Sequence, residues 1–108
     1  MYLEGQKVRT DHYYMVGYCP DLDKYFMVIT VPYVSYYDQY YTISRAEYDL
    51  WQSDVEKLDR IAKACRVDNM RSKRFLYSDR PDENTKEQHD FSLSEIARKK
   101  HNPFFERI

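Results

Sequence analysis

One stretch limits the fold of this chain more than any other: Lys24 to Val31, KYFMVITV. Side chains alternate across an extended backbone, so Tyr25, Met27, Ile29 and Val31 fall on one face and Phe26 and Val28 on the other. A strand that is apolar on both faces must be covered on both, which makes it a central strand. The residues before it, His12 to Cys19 (HYYMVGYC), are rich in β-formers and stop at Pro20. Asp21, Leu22 and Asp23 then supply a turn, because proline presets φ and aspartate bonds its own backbone. Residues 12–31 therefore read as a β-hairpin, and the polar residues 1–11 as a loosely held lead-in.

Pro32 ends the strand, since proline cannot donate to a sheet ladder. Tyr33 to Gln39 reads as a bend carrying Tyr33, Tyr36 and Tyr37 beside Asp38, and Tyr40 to Ile43 as a short third strand. Two helix-start signals follow. Ser44 with Glu47, and Ser53 with Glu56, fit the capping box, in which serine oxygen and carboxylate each satisfy an orphan backbone donor. The first helix, about Arg45 to Gln52, places Tyr48 and Trp51 on one face. In the second, Asp54 to Arg66, Val55, Leu58, Ile61, Ala62 and Cys65 form an apolar stripe, and Glu56→Arg60 and Asp59→Lys63 pair at i, i+4 on the other side. Phe75 to Tyr77 reads as an edge strand blunted by Arg71, Lys73 and Arg74. Residues 79–90 are almost wholly polar and read as an exposed loop. Ser92 and Glu95 open a last helix, Leu93 to about His101. Pro103 stops it, and Phe104, Phe105 and Ile108 pin the tail. The expected fold is a single α+β domain over residues 1–108, an antiparallel sheet of about four strands with helices on one face.

Composition narrows the function. The chain has 17 basic and 18 acidic side chains and a formal charge of −1, which gives no global drive toward nucleic acid or membrane. No apolar run approaches the ~20 residues that span a bilayer, and the N-terminus lacks a signal-peptide core, so a cytoplasmic protein is expected. The two cysteines, Cys19 and Cys65, fit reduced buried thiols, and neither has a second Cys or His at metal-ligand spacing. With two glycines, Gly5 and Gly17, the chain has no phosphate-cradling glycine loop. The acidic residues of 79–90 do not follow the EF-hand ladder. No metal and no cofactor are expected.

Tyrosine is the conspicuous excess: 12 residues, of which 11 lie at or before Tyr48. Tyr14, Tyr25 and Tyr48 are expected to fill the core with their hydroxyls at the surface. Tyr33, Tyr36 and Tyr37, in a run broken by Pro32, are expected to be exposed. Tyrosine offers stiff contact area with a polar tip, and carboxylates at a rim speed encounter with a basic protein. Tyr33, Tyr36, Tyr37 and Asp38 are therefore the candidate partner-binding residues, with Asp21 and Asp23 as neighbours if the two turns share an end of the sheet. Two other chemistries compete with this reading. A catalytic pair drawn from His12, His89 and His101 would cleave RNA by general acid–base catalysis, but the three stand in unrelated contexts. A nucleic-acid surface on Arg71, Lys73 and Arg74 lacks an aromatic stripe. Ten of the 12 tyrosines lie in residues 1–43, where three basic side chains face five acidic ones.

Tyr40 to Arg66 resembles small bacterial immunity proteins of polymorphic and contact-dependent toxin systems. The resemblance runs through Tyr40, Tyr41, Ile43, Ser44, Glu47, Tyr48, Trp51, Asp54, Leu58, Ile61, Ala62 and Cys65: an aromatic strand, Ile-Ser, an acidic-aromatic helix start, and a helix ending near a cysteine. It implies a non-enzymatic protein that binds and neutralises one cognate toxin, often a nuclease, inside the producing cell.

Overall fold

The computed structural model describes residues 1–85. At its centre is β3 (Lys24–Val31), flanked by β2 (Tyr14–Cys19) and β4 (Tyr37–Ile43). β1 (Glu4–Arg9) and β5 (Phe75–Ser78) form the edges, so the spatial order is β1-β2-β3-β4-β5 with every neighbour antiparallel. Between β4 and β5 the chain makes α1 (Arg45–Ser53) and α2 (Val55–Asp68). The expected α+β class holds, with five strands rather than four.

Both faces of β3 are covered, as its sequence requires. Met27 and Ile29 join Tyr14, Val16, Tyr41 and Ile43 beneath Leu58, Ala62 and Cys65 of α2. Phe26 and Val28 join Met15, Cys19 and Tyr40 on the opposite face, with Met1 and Leu3 against them. Cys19 and Cys65 are free and buried, in separate clusters.

The lead-in is a correction. Residues 1–11 contain the edge strand β1, and Met1 and Leu3 are buried. The strand was hidden by a bulge between Glu4 and Lys7, which breaks the period-2 pattern. Gly5 sits in it at φ +60°, and the Tyr48 hydroxyl donates to the Gly5 carbonyl. A Cβ at Gly5 would stand 2.8 Å from that hydroxyl, so both backbone and space call for glycine.

The capping box at Ser44 and Glu47 is formed. The second helix is capped by Asp54 instead of Ser53: its carboxylate accepts from the Lys57 N–H, while the Ser53 hydroxyl turns back toward the Asp49 carbonyl. Glu47 also accepts two bonds from Arg74, at 2.8 and 2.6 Å. That leaves Arg71 and Lys73 exposed without it, and the basic run loses a member. The expected Leu93–His101 helix and the Pro103–Ile108 tail lie outside the described residues.

Two outcomes follow. Leu58 is fully buried at the centre of the helix-side core, so Leu58→Ala is expected to cost about 2–5 kcal/mol in denaturant unfolding. The Arg74 guanidinium, aided by the Ser44 cap, lowers the Glu47 carboxyl from the ordinary 4.5 to about 2. A depressed carboxyl adds stability above its unfolded pKa and loses it as pH falls toward the folded value. Glu47→Gln, which keeps a capping side chain, should therefore remove about 1–2 kcal/mol at neutral pH, after allowing for solvent screening. It should also flatten the stability loss between pH 4.5 and about 2.

Candidate functional site

An antiparallel meander puts alternate connections at opposite ends of the sheet. The β2–β3 turn, with Asp21 and Asp23, lies at one end, and the β3–β4 connection, with Tyr33 and Tyr36, lies at the other. The eight residues of β3 between them span roughly 25 Å. The two turns do not share an end, and Asp21 and Asp23 do not join the tyrosines. Asp23 instead accepts a bond from the Tyr18 hydroxyl.

The bend is also shorter than its sequence implies, because β4 begins at Tyr37 and takes up Tyr37, Asp38 and Gln39. Asp38 is fully buried, and its Oδ1 accepts from the Thr30 hydroxyl at 3.0 Å. It belongs to the interior, not to a rim. Tyr37 is half-buried and donates to Glu83 at 2.8 Å. Glu83, from a single 3-10 turn at Pro81–Glu83, also accepts from Gln39 at 3.0 Å and Ser78 at 2.7 Å. The start of the polar loop is thus bonded to the sheet end. Burial pushes the Tyr37 phenol above its ordinary value, and the bond to Glu83 adds to that shift.

What remains outside is an aromatic surface: Tyr33 is 64% exposed, Val34 93% and Tyr36 42%. Tyr13, which sequence reasoning passed over, completes it. It is 46% exposed, and its ring stacks on Tyr36 with centroids 6.3 Å apart and planes 13° from parallel. The Arg80 guanidinium lies 4.4 Å over the Tyr33 ring, within cation–π range. Tyr13 carries the surface at a cost. Its φ is +56°, a left-handed conformation that costs a residue with a Cβ roughly 1–2 kcal/mol. The backbone there is held by three bonds: Tyr13 N–H to Thr10, Thr30 N–H to the Tyr13 carbonyl at 2.9 Å, and Arg66 Nη2 to that same carbonyl at 2.9 Å. Nothing in the sequence signals this, because Tyr13 reads as one more residue of the strand starting at His12. It stands instead after a 3-10 turn, Thr10–His12.

Beside the tyrosines, β1, β2 and α2 meet at Asp59. Its carboxylate accepts from Arg9 Nε at 3.1 Å and Nη2 at 2.7 Å, and from the Tyr14 hydroxyl. Burial opposes the Asp59 charge, but these bonds outweigh it and hold the carboxyl below its ordinary value. Burial, reinforced by the bond to Asp59, keeps the Tyr14 phenol protonated well above its usual range. His12 Nε2 lies 3.7 Å from the same carboxylate. His89 and His101 lie outside the described residues, and His12 is the one histidine among the described ones.

The chain matches no family model, no curated protein and no solved structure. Among the described residues, no group of His, Cys, Asp and Glu could hold a metal ion, and no helix is long and apolar enough to cross a membrane.

The strain at Tyr13 sets a test of the site itself. Tyr13→Gly relieves the backbone and loses the stack on Tyr36, so its unfolding free energy should stay within about 1 kcal/mol of the parent. A cost of several kcal/mol would mean that the ring is structural.

Proposed function

We propose that this chain is an immunity-type inhibitor that binds a cognate bacterial toxin by direct contact through its tyrosine end, inside the producing cell, with no catalysis of its own. One observation carries the reading: Tyr13, Tyr33, Val34 and Tyr36 are exposed together at one end of the sheet. Single exposed apolar side chains are ordinary, whereas aromatic residues gathered on one surface mark an interaction site. Its residues come from two chain segments and rest on a sheet buried on both sides, so the surface is held in shape before any partner arrives. Preorganisation of that kind lowers the ordering cost of association. The resemblance of Tyr40–Arg66 to immunity proteins supplies the class of partner, and a nuclease toxin is the form it most often implies.

The charge of the contact differs from the sequence expectation. Asp38 is internal, and Asp21 and Asp23 stand at the far end. The proposed interface therefore consists of Tyr33 and Tyr36 with Tyr13 and Val34, and Tyr37 acts as their support.

Co-expression with the product of the neighbouring reading frame tests the reading. The parent chain should protect the host and co-purify with the toxin, while Tyr33→Ala/Tyr36→Ala should lose at least about tenfold in affinity, as removal of two interface aromatics does. Full protection by that variant would remove this surface from the proposal. Failure of the parent chain to protect or to bind would remove the inhibitor reading itself.

A further inference from the structure

Between His12 and α2 lies a cleft of about 280 Å³ lined by His12, Asp59, Arg60, Ala62, Lys63 and Arg66. Its charge is lopsided. Asp59 is already engaged by the bidentate Arg9, whereas Arg60 and Lys63 have no carboxylate partner among the described residues and are exposed. Arg66 is the informative member. Its Nη2 donates to the carbonyls of His12 and Tyr13, which fixes the guanidinium without neutralising it. Burial pushes its pKa down, and no carboxylate counters that shift. A second cleft of about 190 Å³, lined by Thr30, Val31, Pro32, Gln39, Arg66 and Asn69, opens on its other side.

A cation in the last turn of a helix is an ordinary answer to its dipole, and that accounts for the charge of Arg66 at the end of α2. It does not account for an arginine tied to two backbone carbonyls between two clefts. A guanidinium held in that way keeps further N–H donors for a planar or tetrahedral oxyanion. The residue it clamps, Tyr13, carries a half-exposed ring with one face on Tyr36, and a remaining aromatic face next in the chain to a residue lining a cationic cleft is the arrangement that holds a nucleotide by its base and its phosphate.

We propose that the cleft between His12 and α2 binds the phosphate of a nucleotide, with Arg66, Lys63 and Arg60 around the phosphate and Tyr13 against the base. This goes beyond the inhibitor reading and does not depend on it. The base and the phosphate use the edge of the tyrosine surface nearest α2, leaving Tyr33 and Val34 outside the nucleotide site.

The test is an NMR titration of the full chain at constant ionic strength with inorganic phosphate, then adenosine monophosphate, then a 5′-phosphorylated oligonucleotide. Expected are saturable shifts at His12, Lys63 and Arg66 with phosphate, tighter binding of the monophosphate, and a shift of the Tyr13 ring only when a base is present. Oligonucleotide binding stronger than that of the monophosphate would assign the site to a strand end, and equal binding to a free nucleotide. Arg66→Gln also removes the clamp on the His12 and Tyr13 carbonyls, so Arg60→Glu/Lys63→Glu, both at exposed positions, is the deciding variant. It should weaken phosphate binding at least about tenfold, since two cations beside the anion become two like charges. Absence of saturable shifts, or equal binding by that variant, would overturn the proposal. Tighter binding of an aspartate-rich peptide than of the monophosphate would overturn it in favour of an acidic protein segment.

Discussion

Burial of β3 on both faces is the constraint from which the rest of the structure follows. Phe26, Met27, Val28 and Ile29 are all fully buried, and burying side chains of this size contributes on the order of 1.5–3 kcal/mol each. That gain requires a layer on each face and a paired strand on each side. The helix pair supplies one layer, through Leu58, Ala62 and Cys65. Met1 and Leu3 contribute to the other, which is why the N-terminal residues are drawn in and β1 is added to the sheet.

The same constraint decides where function can lie. A strand paired on both edges and covered on both faces leaves only its ends to solvent. At the β2–β3 end the connection is a short turn, and at the other end the chain returns through several segments. There Thr10–Tyr13, Pro32–Tyr36, the C-terminal part of α2 and Arg80–Glu83 converge. Within this end Gln39 and Ser78 donate to Glu83, and Thr30 donates to Asp38. Consequently the aromatic rings stand on a braced base, with Arg66 of α2 bonded to the Tyr13 carbonyl.

Much of the fold was legible because it depends on local pattern. The alternation in KYFMVITV, the apolar stripe of α2 and the capping box at Ser44 each combine a short-range signal with the burial that rewards it. β1 was not legible, since its bulge at Gly5 breaks the alternation and its contact with Tyr48 spans 43 residues. The site was legible in kind but not in membership. Tyr33 and Tyr36 are exposed as their Pro-broken run implies, while β4 starts earlier than Pro32 and the turn residues suggest and draws Asp38 inside. Tyr13, Glu83 and Arg66 join the site only through long-range pairing, to which residue type gives no clue. Charge counted along the chain does not show this either, since Arg66 reaches the Tyr13 carbonyl across 53 residues.

The placement of Cys19 and Cys65 has a consequence for how this protein can be watched. Each thiol is buried in a different layer, one on either side of the sheet. Burial raises both above the ordinary thiol value, Cys65 to about 11, so neither is reactive while its layer is closed. The chain thus carries a native reporter in each core. Alkylation of Cys65 clocks the lifting of the helices from the sheet, and alkylation of Cys19 clocks the opening of the opposite layer, so loss of one core can be distinguished from loss of both.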